Sequence, residues 1–234
     1  SLPCKLQRIA LLLGLVDDDI YGEHRSRLMN EPVRTTLMEA EAREAPDVAA
    51  RLVAHATPEL RKLGERLRGL SPRYAVAAGR GSSDAAALLA KYLFEARLGL
   101  PTVSAAPSIR SIYGRQLNIE KALLLAISQS GRSPDLVEFC RSATGRDVLR
   151  VGLINDAASP LASVMDVVLP LEAGPERSVA ATKSCIAAMT LVLGVAAHWL
   201  NAPMMIEAFE RAPGVLAKAL KEDWSAAEAF FDHE

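Results

Sequence analysis

The stretch Ala126-Ile127-Ser128-Gln129-Ser130-Gly131-Arg132-Ser133-Pro134-Asp135 runs from an apolar strand into three hydroxyls, a glycine and a proline. Gly131 permits a tight turn with close backbone approach, Ser133 can cap a following helix, and Pro134 suits its first position, where no amide donor is lost. Such an arrangement aims the positive end of a helix at the turn, and free amides with a helix dipole favour an anion by about 0.3 to 1 kcal/mol, up to ~2 when partly buried. Hydrogen bonds to a charged group add about 1.5 to 3 kcal/mol each before binding entropy is subtracted. A phosphate can be held this way without a lysine. A plain helix cap would need only Ser133 and Pro134; three serines and a glutamine beside a buried strand ask for more.

A second turn, Gly79-Arg80-Gly81-Ser82-Ser83-Asp84, also follows an apolar strand and opens an alanine-rich helix. Its glycines fall short of a dinucleotide fingerprint, because the third glycine of G-x-G-x-x-G would fall on Asp84. Taken alone, this turn serves a structural role as readily as a binding one.

Elements must place the two turns together. Short apolar runs alternate with amphipathic stretches: 74–78, then 83–98; 102–105; 122–127, then 135–144; 148–154; 167–169, then 182–200. This βα alternation predicts an α/β fold, a five-stranded parallel sheet flanked by helices. Ligands in such sheets lie beyond the carboxyl ends of the strands, where strand order reverses, and both serine-rich turns sit at strand carboxyl ends. Upstream, two helices are expected over 34–56 and 58–69, with Pro58 in the first turn of the second. Beyond Asn201-Ala202-Pro203 one helix runs to about Leu220 and another starts near Trp224. The organisation read from these signals is an extension over 1–28, helices over 29–70, a ligand-binding domain over 71–202 and carboxyl-terminal helices over 203–234.

The 234 residues carry 27 basic and 28 acidic side chains, a net charge of -1, so neither a nucleic-acid backbone nor an anionic membrane surface is an expected partner. Three widely spaced cysteines, Cys4, Cys140 and Cys185, form no metal-ligand pattern or disulfide framework. They point to a reducing cytoplasm, with no metal and no cofactor. The apolar run Ile9 to Val16 is far shorter than the roughly 20 residues that cross a bilayer, and no cleavage site follows it.

The two turns, with Gly174-Pro175-Glu176-Arg177-Ser178-Val179-Ala180-Ala181-Thr182-Lys183, resemble the sugar isomerase (SIS) domain over about residues 35 to 230. The likeness is to the first such domain in the isomerase half of glucosamine-6-phosphate synthases and to related deaminases and isomerases. It implies a flavodoxin-like three-layer sandwich, phosphate contacts at Ser83, Ser128, Gln129, Ser130 and Ser133, and sugar-facing contacts at Gly81, Ser82, Val179 and Ala181. It also implies a homodimer binding a sugar phosphate. Arg80 stands where the synthases often have cysteine, Ala181 where they usually have serine, and Arg132 where they usually have glutamate. The first two departures point away from the synthase and toward the deaminase and isomerase relatives, and Arg132 adds positive charge beside the phosphate site. Lys183 is as well read as structural as it is catalytic.

Proton transfer between neighbouring carbons needs a positioned base. In the resembled family the glutamate, histidine and lysine that do this come from a second SIS domain, to which 203–234 would lead. His24, His55, His198 and His233 offer no evident base, His198 lying on an apolar helix beside Trp199. Glu172 and Glu176 flank the third segment, with Glu176 expected to pair with Arg177. The full protein is therefore expected to isomerise or deaminate hexosamine 6-phosphates; the alternative is a non-catalytic sugar-phosphate sensor.

Overall fold

The computed structural model describes residues 35–223, so expectations on 1–34 and 224–234 lie outside the described residues. Helices α1 (Leu37–Arg43) and α2 (Ala45–Leu70) lead into β1 (Tyr74–Ala78), α3 (Ser82–Leu93) with a π-helical last turn (Phe94–Leu98), β2 (Thr102–Ser104) and the short α4 (Ser108–Ser111). There follow β3 (Ala122–Ser128), α5 (Pro134–Ser142), β4 (Val148–Ile154), a 3-10 turn (Ala162–Val164), β5 (Val167–Pro170), α6 (Lys183–Leu200) and α7 (Pro203–Ala219).

All five strands are parallel, in the order β2-β1-β3-β4-β5. The chain leaves β1 toward one edge and returns to build β3, β4 and β5 on the other side, so strand order reverses between β1 and β3. Their carboxyl ends align, with Ala78 opposite Ala126.

The central strands are buried on both faces, and their side chains alternate between two apolar cores. Leu123, Leu125 and Ile127 of β3 face one core, shared with α2, α3, α6 and α7; Leu124 and Ala126 face the other, shared with α5 and the 3-10 turn. A strand buried on both faces reads as a continuous apolar run, and all of β3 is buried.

The expected break at Pro58 does not occur: α2 continues through it. The stripe Val48, Leu52, Ala56, Leu60, Leu63 and Leu67 is unbroken and buried, so packing offsets the single donor that proline removes. At its far end α2 crosses α6 closely. A Cβ on Gly64 would lie 2.4 Å from the His198 carbonyl oxygen, and Arg68 Nη1 donates to the carbonyls of His198 at 2.6 Å and Trp199 at 3.0 Å, closing the end of α6. Helix α6 is long and apolar enough to cross a membrane by length and composition, yet 72% of it is buried inside the protein.

Candidate functional site

The two serine-rich turns follow β1 and β3, the strands that flank the reversal of order. Gly79 follows β1 and lies against the first turn of α3, where a Cβ would sit 2.6 Å from the Ser83 carbonyl oxygen. Gly81 then takes φ +56° and ψ -130°, conformations that L side chains rarely adopt. This leaves Gly81 exposed and Ser82 and Ser83 half-buried at the head of α3, with neither hydroxyl capping the helix.

In the second turn Ser128 is buried, and its Oγ accepts the Gly131 amide at 2.9 Å. Gly131, at φ +63°, packs so tightly that a Cβ would lie 2.0 Å from Ser159 Oγ. Ser130 Oγ accepts the Arg132 amide at 3.3 Å. Ser133 occupies the N-cap position of α5, but its hydroxyl does not cap, contrary to the sequence expectation. Its carbonyl takes the Val137 amide, while Asp135 Oδ1 accepts the Leu136 amide at 2.8 Å. The Ser133 hydroxyl therefore remains available beside the helix amino terminus.

Two side-chain links draw the segments together. Arg80 of the first turn pairs with Asp135 at the head of α5, its Nε donating to Oδ2 at 2.8 Å. Cys185, in the first turn of α6, donates from Sγ to the Ser82 carbonyl at 3.3 Å, which brings the third segment against the first turn. Beside the second turn opens a 460 Å³ cleft lined by Gln129, Ser130, Arg132, Asn155, Asp156, Gly174, Pro175 and Glu176. Asn155 stitches its far wall, donating to the Gly174 carbonyl at 2.8 Å and accepting the Ala173 amide at 2.9 Å. Of the residues expected to bind, Gln129 and Ser130 line the cleft; Ser82, Ser83, Ser133 and Ala181 are half-buried and stand outside its lining. Val179 points fully into solvent.

The model of the SIS domain matches residues 72–197, more than half of the chain. The chain belongs to the SIS domain family. Among curated relatives, the glutamine–fructose-6-phosphate aminotransferase (isomerizing) of Methanothermobacter thermautotrophicus is 35% identical over 144 residues, 61% of this chain and 24% of that enzyme. The corresponding enzyme of Thermotoga maritima is 31% identical over 173 residues, covering 70% of this chain and 27% of its own length. The chain thus spans about a quarter of the length of these relatives. Among solved structures, a provisionally assigned phosphosugar isomerase of Silicibacter pomeroyi superposes with a TM-score of 0.77 at 39% identity, covering 81% of this chain and 58% of that one.

Within this SIS domain the segment before α6 is held by carboxylates that sequence reading passed over. Glu41 of α1 is buried, and it accepts the amides of Arg177 at 2.6 Å and Ser178 at 3.1 Å as well as the Ser178 hydroxyl. These bonds, that of the Ser178 hydroxyl first, hold its carboxyl below the usual carboxylate range. Glu44 pairs with the buried Lys183 at 2.8 Å, which makes that lysine structural. The one usable sequence signal was two glutamates a helical turn apart ahead of the sheet.

Glu176 does not pair with Arg177 as expected. It accepts the Thr182 amide at 2.9 Å, the Ser184 amide at 3.2 Å and the Ser184 hydroxyl, and so caps α6 from six residues upstream. Free amides at a helix start are a stronger pull on a carboxylate than a neighbouring exposed arginine. Glu172 instead lies 3.6 Å from His55. His198 packs edge-on against Phe209 with its Nε2 buried and unpartnered, and burial pushes its pKa down. Among the described residues no His, Cys, Asp and Glu cluster is placed to hold a metal ion.

Proposed function

We propose that this SIS domain binds a hexose or hexosamine phosphate at the carboxyl edge of its sheet, as the first SIS domain of a larger protein that isomerises or deaminates hexosamine 6-phosphates. The observation that carries this reading is the meeting of two serine-rich turns where strand order reverses, tied together through Arg80 and Asp135, with Gln129 and Ser130 opening into a cleft. The phosphate ester would rest on the hydroxyls of Ser83, Ser128, Ser130 and Ser133, on Gln129 and on the amides heading α5. Gly81, Ser82 and Ala181 would face the sugar; Val179 would reach it only by turning inward.

The buried Cys140 and half-buried Cys185 are free thiols, in keeping with a cytoplasmic setting. The same reading has 71–202 as the sugar-phosphate domain, 203–234 as a lead into a second SIS domain, and a homodimer as the assembly. Both carboxylates that flank the third segment are engaged, Glu176 on amides and Glu172 beside His55. A base for proton transfer would then come from the second domain, and this chain alone would bind without turnover.

Titration calorimetry with fructose 6-phosphate and glucosamine 6-phosphate tests the reading. Saturable heat with both esters, abolished in a Ser130→Ala, Ser133→Ala double variant that still melts cooperatively, is the expected result. Silence with every hexose monophosphate would sink it, and turnover by the 234-residue chain alone would sink the division of labour.

A further inference from the structure

Arg132 is the cation among the residues lining the cleft, and its charge is engaged. Its Nη2 donates to Asp156 Oδ2 at 2.9 Å, across the opening beside Gln129 and Ser130. Both ends of this pair stand on firm backbone. The Arg132 amide donates to Ser130 Oγ; Asp156 Oδ1 accepts the Ala158 amide at 3.0 Å, and the Asp156 carbonyl accepts the Ser159 amide. Ser159 fills the space where Gly131 lacks a Cβ, and the Leu161 amide donates to the Gly131 carbonyl at 3.1 Å. The loop that carries Asp156 and the turn that carries Arg132 therefore form one packed unit, and the soft element between them is the guanidinium arm itself.

We propose that Arg132 is the phosphate-selecting residue of this site: its guanidinium leaves Asp156 for the phosphate of a bound sugar ester, and Asp156 holds it ready in the empty cleft. This rests on the sugar-phosphate reading above and adds to it how the dianion is chosen.

Three features support the exchange. The pair is exposed, with 65% and 36% of its side-chain surface open to solvent, so breaking it costs little. The hydroxyls and amides of the second turn supply partial charges, which leave a dianion incompletely neutralised; a guanidinium supplies a full charge and a planar fork that fits phosphate oxygens two at a time. Asp156 is also a competitor. While its carboxylate stays in the cleft it draws on the same guanidinium and repels the incoming anion, so it limits the affinity of any phosphate that binds.

That competition makes the two partners of one ion pair respond in opposite directions, which a purely structural pair would not do. The test is calorimetric titration of the 234-residue chain and its Arg132→Gln, Arg132→Lys and Asp156→Asn variants with fructose 6-phosphate, inorganic phosphate and unphosphorylated fructose. Asparagine keeps the Oδ1 acceptor for the Ala158 amide, so the loop is retained while the charge is removed. The expected result is that Arg132→Gln weakens both phosphate probes by about tenfold or more, that Arg132→Lys falls between it and the parent, and that Asp156→Asn tightens both a few-fold. Fructose should bind no better to any of them. Parent-like binding by Arg132→Gln, or weakened binding by Asp156→Asn, overturns this inference while leaving the sugar-phosphate site intact. A parent chain that takes up no hexose phosphate overturns both.

Discussion

Glu41 Oε1 accepts the backbone amide of Arg177 at 2.6 Å across 136 positions of sequence, fastening α1 to the loop that enters α6. With Glu44 on Lys183 one turn later, the short amino-terminal helix sets the conformation of the third site segment. Glu41→Gln keeps one acceptor and loses the charge, and Glu41→Ala loses both. Amide exchange at Arg177 and Ser178 should quicken in that order, by roughly tenfold or more for alanine. Unchanged exchange in Glu41→Ala would show that the loop holds itself.

The acid limb of stability should have two separate steps. His198 has its pKa lowered by burial first and then by Arg61, with Arg68 adding to the drop and Glu210 opposing it. The folded state therefore prefers the neutral ring, and its stability is full above the ordinary value of 6.5 and declines as pH falls through that value toward the lowered one. Glu41, whose pKa is depressed from 4.5, contributes stability above 4.5 that is lost as pH falls through its folded value. Urea midpoints between pH 8 and pH 3 should show both steps. His198→Met should remove the upper one alone; a midpoint profile identical to the parent between pH 7 and pH 5 would contradict this.

What could be read in advance followed from local pattern. The limits of β1 and β4 match their apolar runs, and both turns lie at strand carboxyl ends, because burial on two faces writes itself into consecutive residues. Pro58 misled because its local cost is visible in sequence, whereas the packing that offsets it runs along the whole stripe from Val48 to Leu67. The carboxylates misled for a similar reason. Glu176 has an arginine next to it, but its true partners are the Thr182 and Ser184 amides at the start of α6, and Glu41 and Glu44 act on a segment that no local pattern connects to them. Ser133 was correctly placed at a helix start, yet the capping hydrogen bond it was expected to make is absent.

The glycines of the two turns should differ in their tolerance of a methyl group. Gly131 has φ +63° and no room, since a Cβ would lie 2.0 Å from Ser159 Oγ; Gly81 has φ +56° with nothing within 4 Å. Gly131→Ala combines backbone strain with overpacking and should cost about 2 to 4 kcal/mol, whereas Gly81→Ala carries the strain alone, about 1 to 3 kcal/mol. Denaturant unfolding of the two variants checks the order. Relief of Gly131→Ala by a second change, Ser159→Gly, would identify the clash as its cause, and a lack of any relief would refute it.

Arg80 and Asp135 join the two turns across the point where strand order reverses, and a hexose phosphate would have to span both. The pair is partly exposed, with 48% and 23% of its side-chain surfaces open, so its loss should cost stability less than about 1 kcal/mol. Its effect on ligand geometry should be larger. Inorganic phosphate, held mainly by the second turn, can shift to keep those contacts if Ser83 moves, whereas fructose 6-phosphate would need the first turn held at a fixed distance from the second. Arg80→Ala should therefore weaken fructose 6-phosphate several-fold while leaving inorganic phosphate nearly unchanged, unlike changes at Arg132, which act on both. Asp135→Ala should reproduce the effect, and the double variant should add little to either single change, because the two side chains act through one link. Equal losses for the two probes in Arg80→Ala would mean that Arg80 touches the phosphate itself, and fully additive losses would mean that the turns are not coupled through this pair.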